Sequence, residues 1–321
     1  MPFNRVIAAL ALGALAVTAG AQEFPVKPVR VIVPFAAGGA SDVTARIIAP
    51  KLSELLGQSV IIENRGGANG IVGSEITARA PPDGYTVLMA TNGTHAVNIS
   101  LYPKLSYDPV RDFVPITEVV SLTNVLVVHP SLPVKSVKEL IALARRKPGE
   151  LTFGSGGNGG TPHLSGELLK SMAKIDLTHV PYKSGGLSTI ALLSGEVTMT
   201  FNTMLTSFNH IQSGRVRALG VTGTKRSPLL PEVPTIAESG VPGYEASTWY
   251  GLVAPAATPK ETVSKLHLAT VKAMNVPEVR KQLVSQGADP VGNTPAQFAA
   301  VIKSDTEKWA KVVKASGARP D

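Results

Sequence analysis

Residues 152–169 read TFGSGGNGGTPHLSGELL, a strand-like start that runs into clustered glycines and then into a helix-like stretch. Gly154, Gly156 and Gly159 satisfy G-x-G-x-x-G, the spacing of a dinucleotide-binding turn. A nucleotide site also needs an acidic residue closing the next strand, roughly 20 residues on, to take the ribose hydroxyls. Asp176 instead precedes the next strand-like stretch, residues 178–180, which runs into Val180-Pro181-Tyr182-Lys183. No G-x-x-x-x-G-K-[ST] occurs either. The stretch therefore reads as a turn for some other anion.

Two more turns share its design of strand, glycines and a helix start carrying a small hydroxyl. They are Ala36-Ala37-Gly38-Gly39-Ala40-Ser41-Asp42 and Tyr182-Lys183-Ser184-Gly185-Gly186. Glycine lets the backbone approach a ligand closely, and a helix start leaves four N–H groups without internal partners. Such ends attract anions. A hydrogen bond to a charged group contributes about 1.5 to 3 kcal/mol net, so four sum to roughly 6 to 12 before ordering costs. A micromolar complex needs about 8 kcal/mol. Main-chain donors from two lobes thus suffice for a carboxylate as well as for a phosphate. The competing reading of each turn is tight strand-to-helix packing alone.

Outward from the turns, strand-like and helix-like segments alternate, the pattern of parallel sheets with helices on their faces. Residues 29–34, 60–63 and 86–90 read as strands around helices at 41–56, where Pro50 argues against continuity, and 70–80, with Asn69 as N-cap. After an irregular, proline-marked stretch at 102–115, a second unit has strands at 124–128, 151–153, 178–180, 197–201 and 216–221. Ser136 and Glu139 give its first helix a capping box. The tail has one strand, 249–254, and three helix-like stretches, so it packs most economically on the first unit. The expected division is 22–123 plus 232–321 for lobe one and 124–231 for lobe two, an α/β architecture in which each lobe is a mostly parallel sheet flanked by helices. Two crossings leave a cleft between the lobes, where small-molecule sites concentrate.

The chain begins as an exported protein does. Arg5, an apolar run at 6–17 and Ala19-Gly20-Ala21 have the three parts of a secretory signal cleaved after Ala21. That run is shorter than the roughly 20 residues of a membrane span, and no later stretch replaces it. With 321 residues, the mature part has the length of two domains. Cysteine is absent, which excludes a disulfide staple, a catalytic thiol and a zinc–thiolate site. The formal charge is +8, which favours encounter with anions, but the basic residues are scattered and aromatics are 5 % of the chain. Nucleic acid is therefore not an expected partner. The histidines show no metal-ligand spacing, and no G-x-S-x-G is present. His163, one turn into a helix, reads either as a general base working with Ser155 or Thr161 in a secreted hydrolase, or as a histidine that supports or lines a binding site.

Several short stretches, in this order, resemble the Bug family, the receptors of tripartite tricarboxylate transporters. They are Pro34-Phe35 through Gly38-Gly39 to Asp42, Glu63-Asn64-Arg65 with Gly66-Gly67-Ala68, and Pro82-Asp83-Gly84-Tyr85. Gly154-Ser155 to His163-Leu164, Val180-Pro181-Tyr182-Lys183, Arg226-Ser227-Pro228 to Pro234-Thr235, and Trp249-Tyr250-Gly251-Leu252-Val253-Ala254-Pro255 complete the set. The resemblance implies a type II periplasmic-binding-protein (Venus-flytrap) fold that closes on a small organic carboxylate and delivers it to membrane transporter subunits, without cofactor, metal or chemistry on the solute. A related alternative is a sensor that presents its closed lobes to a membrane kinase. By position, lobe one would contribute Ala36, Ala37, Gly38, Gly39, Ser41, Asp42, Thr91, Asn92 and Thr94. Lobe two would contribute Ser155, Gly160, Thr161, His163, Tyr182, Lys183 and Gly185.

Relatives usually read G-x-V-D before an M-F pair, where this chain has Gly195-Glu196-Val197-Thr198-Met199-Thr200-Phe201-Asn202. If that position faces the cleft, neutral Thr198 and Asn202 suit a dicarboxylate, a tricarboxylate or an aromatic acid over an amino acid. Asp42 reads either as the N-cap of its helix, worth about 1 kcal/mol, or as a solute contact.

Overall fold

The computed structural model describes residues 24–182 and 185–320; the expected leader at 1–21 and Lys183 lie outside them. The chain starts with β1 (Val29–Val33), α1 (Ala40–Leu56), β2 (Val60–Asn64), α2 (Ile71–Ala78) and β3 (Thr86–Thr91). It continues through α3 (Asn98–Leu101) into β4 (Phe113–Leu122), and only Thr123 separates β4 from β5 (Asn124–Val128). Then follow α4 (Val137–Arg146), β6 (Thr152–Ser155), α5 (Thr161–Ala173), β7 (Thr178–Pro181), α6 (Gly185–Leu193), β8 (Met199–Thr203), α7 (Met204–Gln212) and β9 (Arg217–Val221). A second crossing leads to β10 (Thr248–Pro255), α8 (Lys260–Met274), α9 (Pro277–Ser285), β11 (Ala288–Pro290) and α10 (Pro295–Ser316).

The strands form two sheets, ordered β11-β4-β10-β3-β1-β2 and β7-β6-β8-β5-β9. The two-lobed α/β class holds, but both sheets are mixed where mostly parallel ones were expected. β2, β1 and β3 run parallel, as do β7, β6 and β8, whereas β10, β4, β11, β5 and β9 join antiparallel. The antiparallel joints follow from the crossings. β10 returns from the second lobe and inserts between β3 and β4, and β5 enters the second sheet directly from the end of β4.

β4 occupies part of the stretch expected to be irregular. Pro115 cannot donate to a ladder and is tolerated because β11 covers only Val120 to Leu122, leaving β4 an edge at Pro115. Its partner β10 takes a register shift there, between Leu252 and Val253. α1 runs unbroken through Pro50. α2 is capped by Gly70 and not by Asn69, whose amide instead donates to Asn98 Oδ1 at 2.9 Å. Ser136 caps α4 by accepting the Glu139 N–H, but the expected box is only half formed, because the Glu139 carboxylate takes the Lys135 N–H at 2.7 Å.

Val29, Val31 and Val33 alternate with residues on the opposite face of β1 and pack with Ile48 and Leu52 of α1 into one buried cluster. On the other face of that sheet, Ile32, Leu88 and Val253 meet Phe298 and Ile302 from the first half of α10. The second half of α10 goes elsewhere: Trp309, Val312 and Val313 share a core with Phe153, Leu164 and Leu169 of the second lobe. α10 therefore packs on both lobes.

Pairing at the crossings orients the two sheets. β10 begins beside the end of β3 (Tyr250 opposite Thr91), β4 ends beside the start of β10 (Leu122 opposite Thr248), and β5 begins beside the end of β8 (Asn124 opposite Thr203). The carboxyl ends of β1 and β3 thus lie at the edge that adjoins the crossings, and so do those of β6, β7 and β8 in the other sheet. In open α/β sheets, that edge is where ligands bind.

Candidate functional site

After β1 the chain turns at Gly38, whose φ of +81° disfavours any side chain, and Gly39 in extended conformation caps α1. Asp42 sits three positions into the helix and is not its cap. Its Oδ2 accepts the Gly38 N–H at 2.8 Å, and Arg46 Nε and Asn64 Nδ2 donate to the same carboxylate at 3.0 Å. Asn64 also donates to the Phe35 carbonyl at 3.1 Å, tying the end of β2 to the turn. Burial pushes the Asp42 carboxyl up, but the hydrogen bonds from Arg46, Gly38 and Asn64 together outweigh it and hold the group below the usual carboxylate range. Asp42 is an ionised brace under the turn. Ala36, Ala37 and Gly38 are exposed at its crest, while Ser41 is buried.

The turn after β6 is braced differently. Gly159, with φ +74°, donates its N–H to His163 Nδ1 at 3.0 Å, so the imidazole proton is assigned to Nε2, 3.8 Å from a Glu167 oxygen. The His163 ring stacks on His179 with centroids 3.9 Å apart. Burial, helped by the nearby His179 and Lys170 charges, lowers its pKa to about 3 and keeps it neutral. Ser155 Oγ lies 2.7 Å from His179 Nε2, donates to the Gly157 carbonyl at 3.0 Å and accepts the Gly157 N–H at 3.2 Å. A hydroxyl has one proton, so its bond to Gly157 leaves His179 Nε2 as the donor to Ser155. The expected pairing of His163 with Ser155 is not formed, because each group is already engaged in shaping the turn. His163 supports the turn from behind.

The lobes meet at this turn. Thr161, the first residue of α5 after the cap Gly160, donates from Oγ1 to Asn92 Oδ1 across the lobes at 3.2 Å, in a buried bond. Asn92 Oδ1 also accepts the Gly93 N–H at 3.1 Å, and its Nδ2 reaches the Ser247 carbonyl of the second crossing at 3.4 Å. Thr91 and Thr94 close the turn beside it through reciprocal side-chain bonds of 3.0 and 3.2 Å. Gly159 packs directly on Leu101 of α3: a Cβ there would stand 2.1 Å from Leu101 Cδ2.

The remaining expected residues divide. Gly185 opens α6 at the same sheet edge, where a Cβ would lie 3.8 Å from Asn202 Oδ1. Asn202 itself is tied into lobe two, donating to Thr189 at 2.9 Å and Thr200 at 3.1 Å. Tyr182 follows the end of β7 and is half-buried against the second-lobe core, and its hydroxyl donates to Glu196 at 2.8 Å. Thr198 does not reach this edge. It pairs with Thr152 through three bonds of 2.6 to 3.1 Å at the amino end of β6, and β8 then runs its whole length before reaching the turns. The specificity argument built on Thr198 therefore falls.

The sequence reading missed the brace Asn64, the ring partner His179 and the cross-lobe partner Leu101. It also missed Asn124, fully buried at the crossing, whose amide oxygen and nitrogen have no hydrogen-bond partner among the described residues. Asn64 and His163-Leu164 lay inside stretches that carried the resemblance, but nothing in the spacing assigned them these contacts.

The arrangement is thus two braced glycine turns, each leading into a helix, at the adjoining carboxyl ends of two sheets. The model of the tripartite tricarboxylate transporter family receptor matches residues 44–318. Protein BugT of Bordetella pertussis is 36 % identical over 311 residues, covering 97 % of this chain and 95 % of its own. Among solved structures, an R. palustris protein with adipate superposes with a TM-score of 0.84 at 39 % identity, over 93 % of this chain and 100 % of that one. MatC from Rhodopseudomonas palustris with bound malate gives 0.80 at 33 % identity, over 90 % and 100 %. The chain belongs to the tripartite tricarboxylate transporter receptor family, that of the Bug solute-binding proteins.

Proposed function

We propose that this protein is an exported, periplasmic receptor that captures a small organic carboxylate between its lobes and delivers it to tripartite membrane transporter subunits. The lobes divide at Thr123 and near Ser247, later than the expected 231, because Val233 packs with Val125 and Val221, and Ile236 and Ala246 donate to the Val221 and Thr222 carbonyls of the second lobe. The observation that carries the reading is the pair of glycine turns, at 36–42 and 155–161, each at the carboxyl end of its sheet on the side of the crossings, where open α/β sheets bind ligands. Main-chain donors at the starts of α1, α5 and α6 hold the anion, because each helix start leaves N–H groups without intrahelical acceptors and carries the positive end of the helix dipole. Related proteins hold adipate and malate, which supports a small aliphatic carboxylate as the solute.

A receptor fits better than a hydrolase. The hydrolytic reading needs a base aimed at a hydroxyl, whereas His163 spends its acceptor on Gly159 N–H and Ser155 is held by Gly157 and His179. No helix of the described residues is long and apolar enough to cross a membrane, in keeping with a receptor that works beside separate membrane subunits. Calorimetry tests the function directly, with adipate, malate, citrate, benzoate, aspartate and glucose as the panel. One or a few carboxylates should bind at micromolar or tighter Kd; binding of glucose with silence across all the carboxylates would reject the reading.

A further inference from the structure

Asn92 and Thr161 were both expected as solute contacts, yet their polar atoms are committed to one another across the lobes. Thr161 Oγ1 donates to Asn92 Oδ1, the same oxygen accepts Gly93 N–H, and the Asn92 amide nitrogen donates to Ser247 O in the second crossing. One side chain thus touches the first lobe, the second lobe and the hinge. Beside it, the bare α-carbon of Gly159 lies against Leu101, which shares a buried cluster with Leu164 and Phe153 of the second lobe.

We infer that Asn92–Thr161 and Leu101–Gly159 form a latch, a pair of direct lobe-to-lobe contacts that favours the closed arrangement by itself, so that the side chains of Asn92 and Thr161 position the lobes and leave the solute to the main chain. The inference rests on the receptor reading for its purpose but not for its test. A contact present only when the lobes are shut shifts the open–closed equilibrium by its own free energy, whatever fills the cleft. Losing one buried hydrogen bond should reduce the closed-to-open ratio about fivefold. In a binding experiment the same loss appears mainly as faster solute release, since contacts formed on closing act on the off-rate.

The chain has no cysteine, so two exposed positions, one per lobe, can be labelled cleanly as Val110→Cys and Ile190→Cys for spin-label distance measurements. In solute-free protein, Thr161→Val, which keeps the shape and removes the hydroxyl, should lower the ratio of short- to long-distance populations about fivefold with an unchanged Tm. Gly159→Ala should deplete it further, because its Cβ collides with Leu101 and its φ of +74° is strained. Adding Leu101→Ala should restore closure in the Gly159→Ala protein, which strain confined to the turn would not allow. A folded Thr161→Val protein with the parent's distance distribution, or a Gly159→Ala protein that Leu101→Ala does not rescue, overturns the latch. Failure of every carboxylate to bind would sink the receptor reading while leaving these distances meaningful.

Discussion

In the first lobe the N–H of Gly38 is taken by the carboxylate of Asp42; in the second, the N–H of Gly159 is taken by the imidazole of His163, again four residues on. Both glycines have positive φ, both turns follow a parallel strand, and both feed a helix. The charge differs. Asp42 sets a negative group, countered by Arg46, under its turn, whereas His163 is neutral and leaves its turn without added charge. For an anionic guest the second turn is the better host, and the first is the one whose shape is bound to an ion pair. Two turns that read alike in sequence thus have unequal electrostatic roles.

The comparison breaks most severely at His163. His163→Ala removes the acceptor of a buried N–H and the ring stacked on His179, and should cost about 3 kcal/mol of stability and roughly tenfold in carboxylate affinity. Denaturant unfolding and calorimetry would check both. The neutral imidazole also has a pH signature. Its pKa is about 3 in the fold against 6.5 ordinarily, so between those values the unfolded chain binds the extra proton and stability falls as pH drops. The stabilisation is whole above pH 6.5 and is lost toward pH 3, with a slope of at most about 1.4 kcal/mol per unit. His95, fully buried with its pKa lowered to about 3 by burial, titrates in the same direction. The difference between His163→Gln and the parent isolates the turn: the variant keeps an acceptor and should flatten the curve. Parallel curves would mean that His163 is charged in the fold.

At Asp42 a smaller change of opposite sign in affinity is expected. Asp42→Asn retains an acceptor for Gly38 N–H but gives up the ion pair to Arg46, whose side chain is half exposed. The stability loss should therefore stay near 1 kcal/mol. Removing the negative charge next to the proposed anion site should raise carboxylate affinity about threefold, more at low salt than at high. Equal loss of affinity in Asp42→Asn and His163→Ala would erase the contrast between the two turns.

Much of this was open to a reader of the sequence, for physical reasons. Strand-to-helix alternation, the three glycine turns and the return of the tail to the first sheet all follow from patterns of burial and backbone freedom that are local. What stayed hidden depends on partners far away in the chain. Pro115 argued against a strand until β11 proved too short to cover it. Asn92 and Thr161 each looked like a hydroxyl or amide offered to a ligand, because nothing local shows that they face one another over 69 positions. His163 was weighed as a base or a site-lining group, and its acceptor turned out to serve a glycine four residues back.

Thr198 gives the smallest expected effect on affinity and the sharpest boundary to the site. It sits at the amino end of β8, bonded to Thr152, while the turns lie past the carboxyl end at Thr203. Five residues of strand separate the two ends, roughly 16 Å at about 3.3 Å per residue. Thr198→Asp installs an acid there, and a charge at that distance is weakened further by the Debye length of about 8 Å at physiological salt. Its effect on the ratio of aspartate to malate affinity should stay within about twofold. Stability should fall by about 1 to 2 kcal/mol, since the new carboxylate can accept the Thr152 N–H but cannot replace the hydroxyl's donation to the Thr152 carbonyl. A marked gain in aspartate binding would mean that the solute reaches the amino ends of the strands. The braced turns would then be only one wall of a much deeper site, and the contrast between Asp42 and His163 would no longer decide where the anion rests.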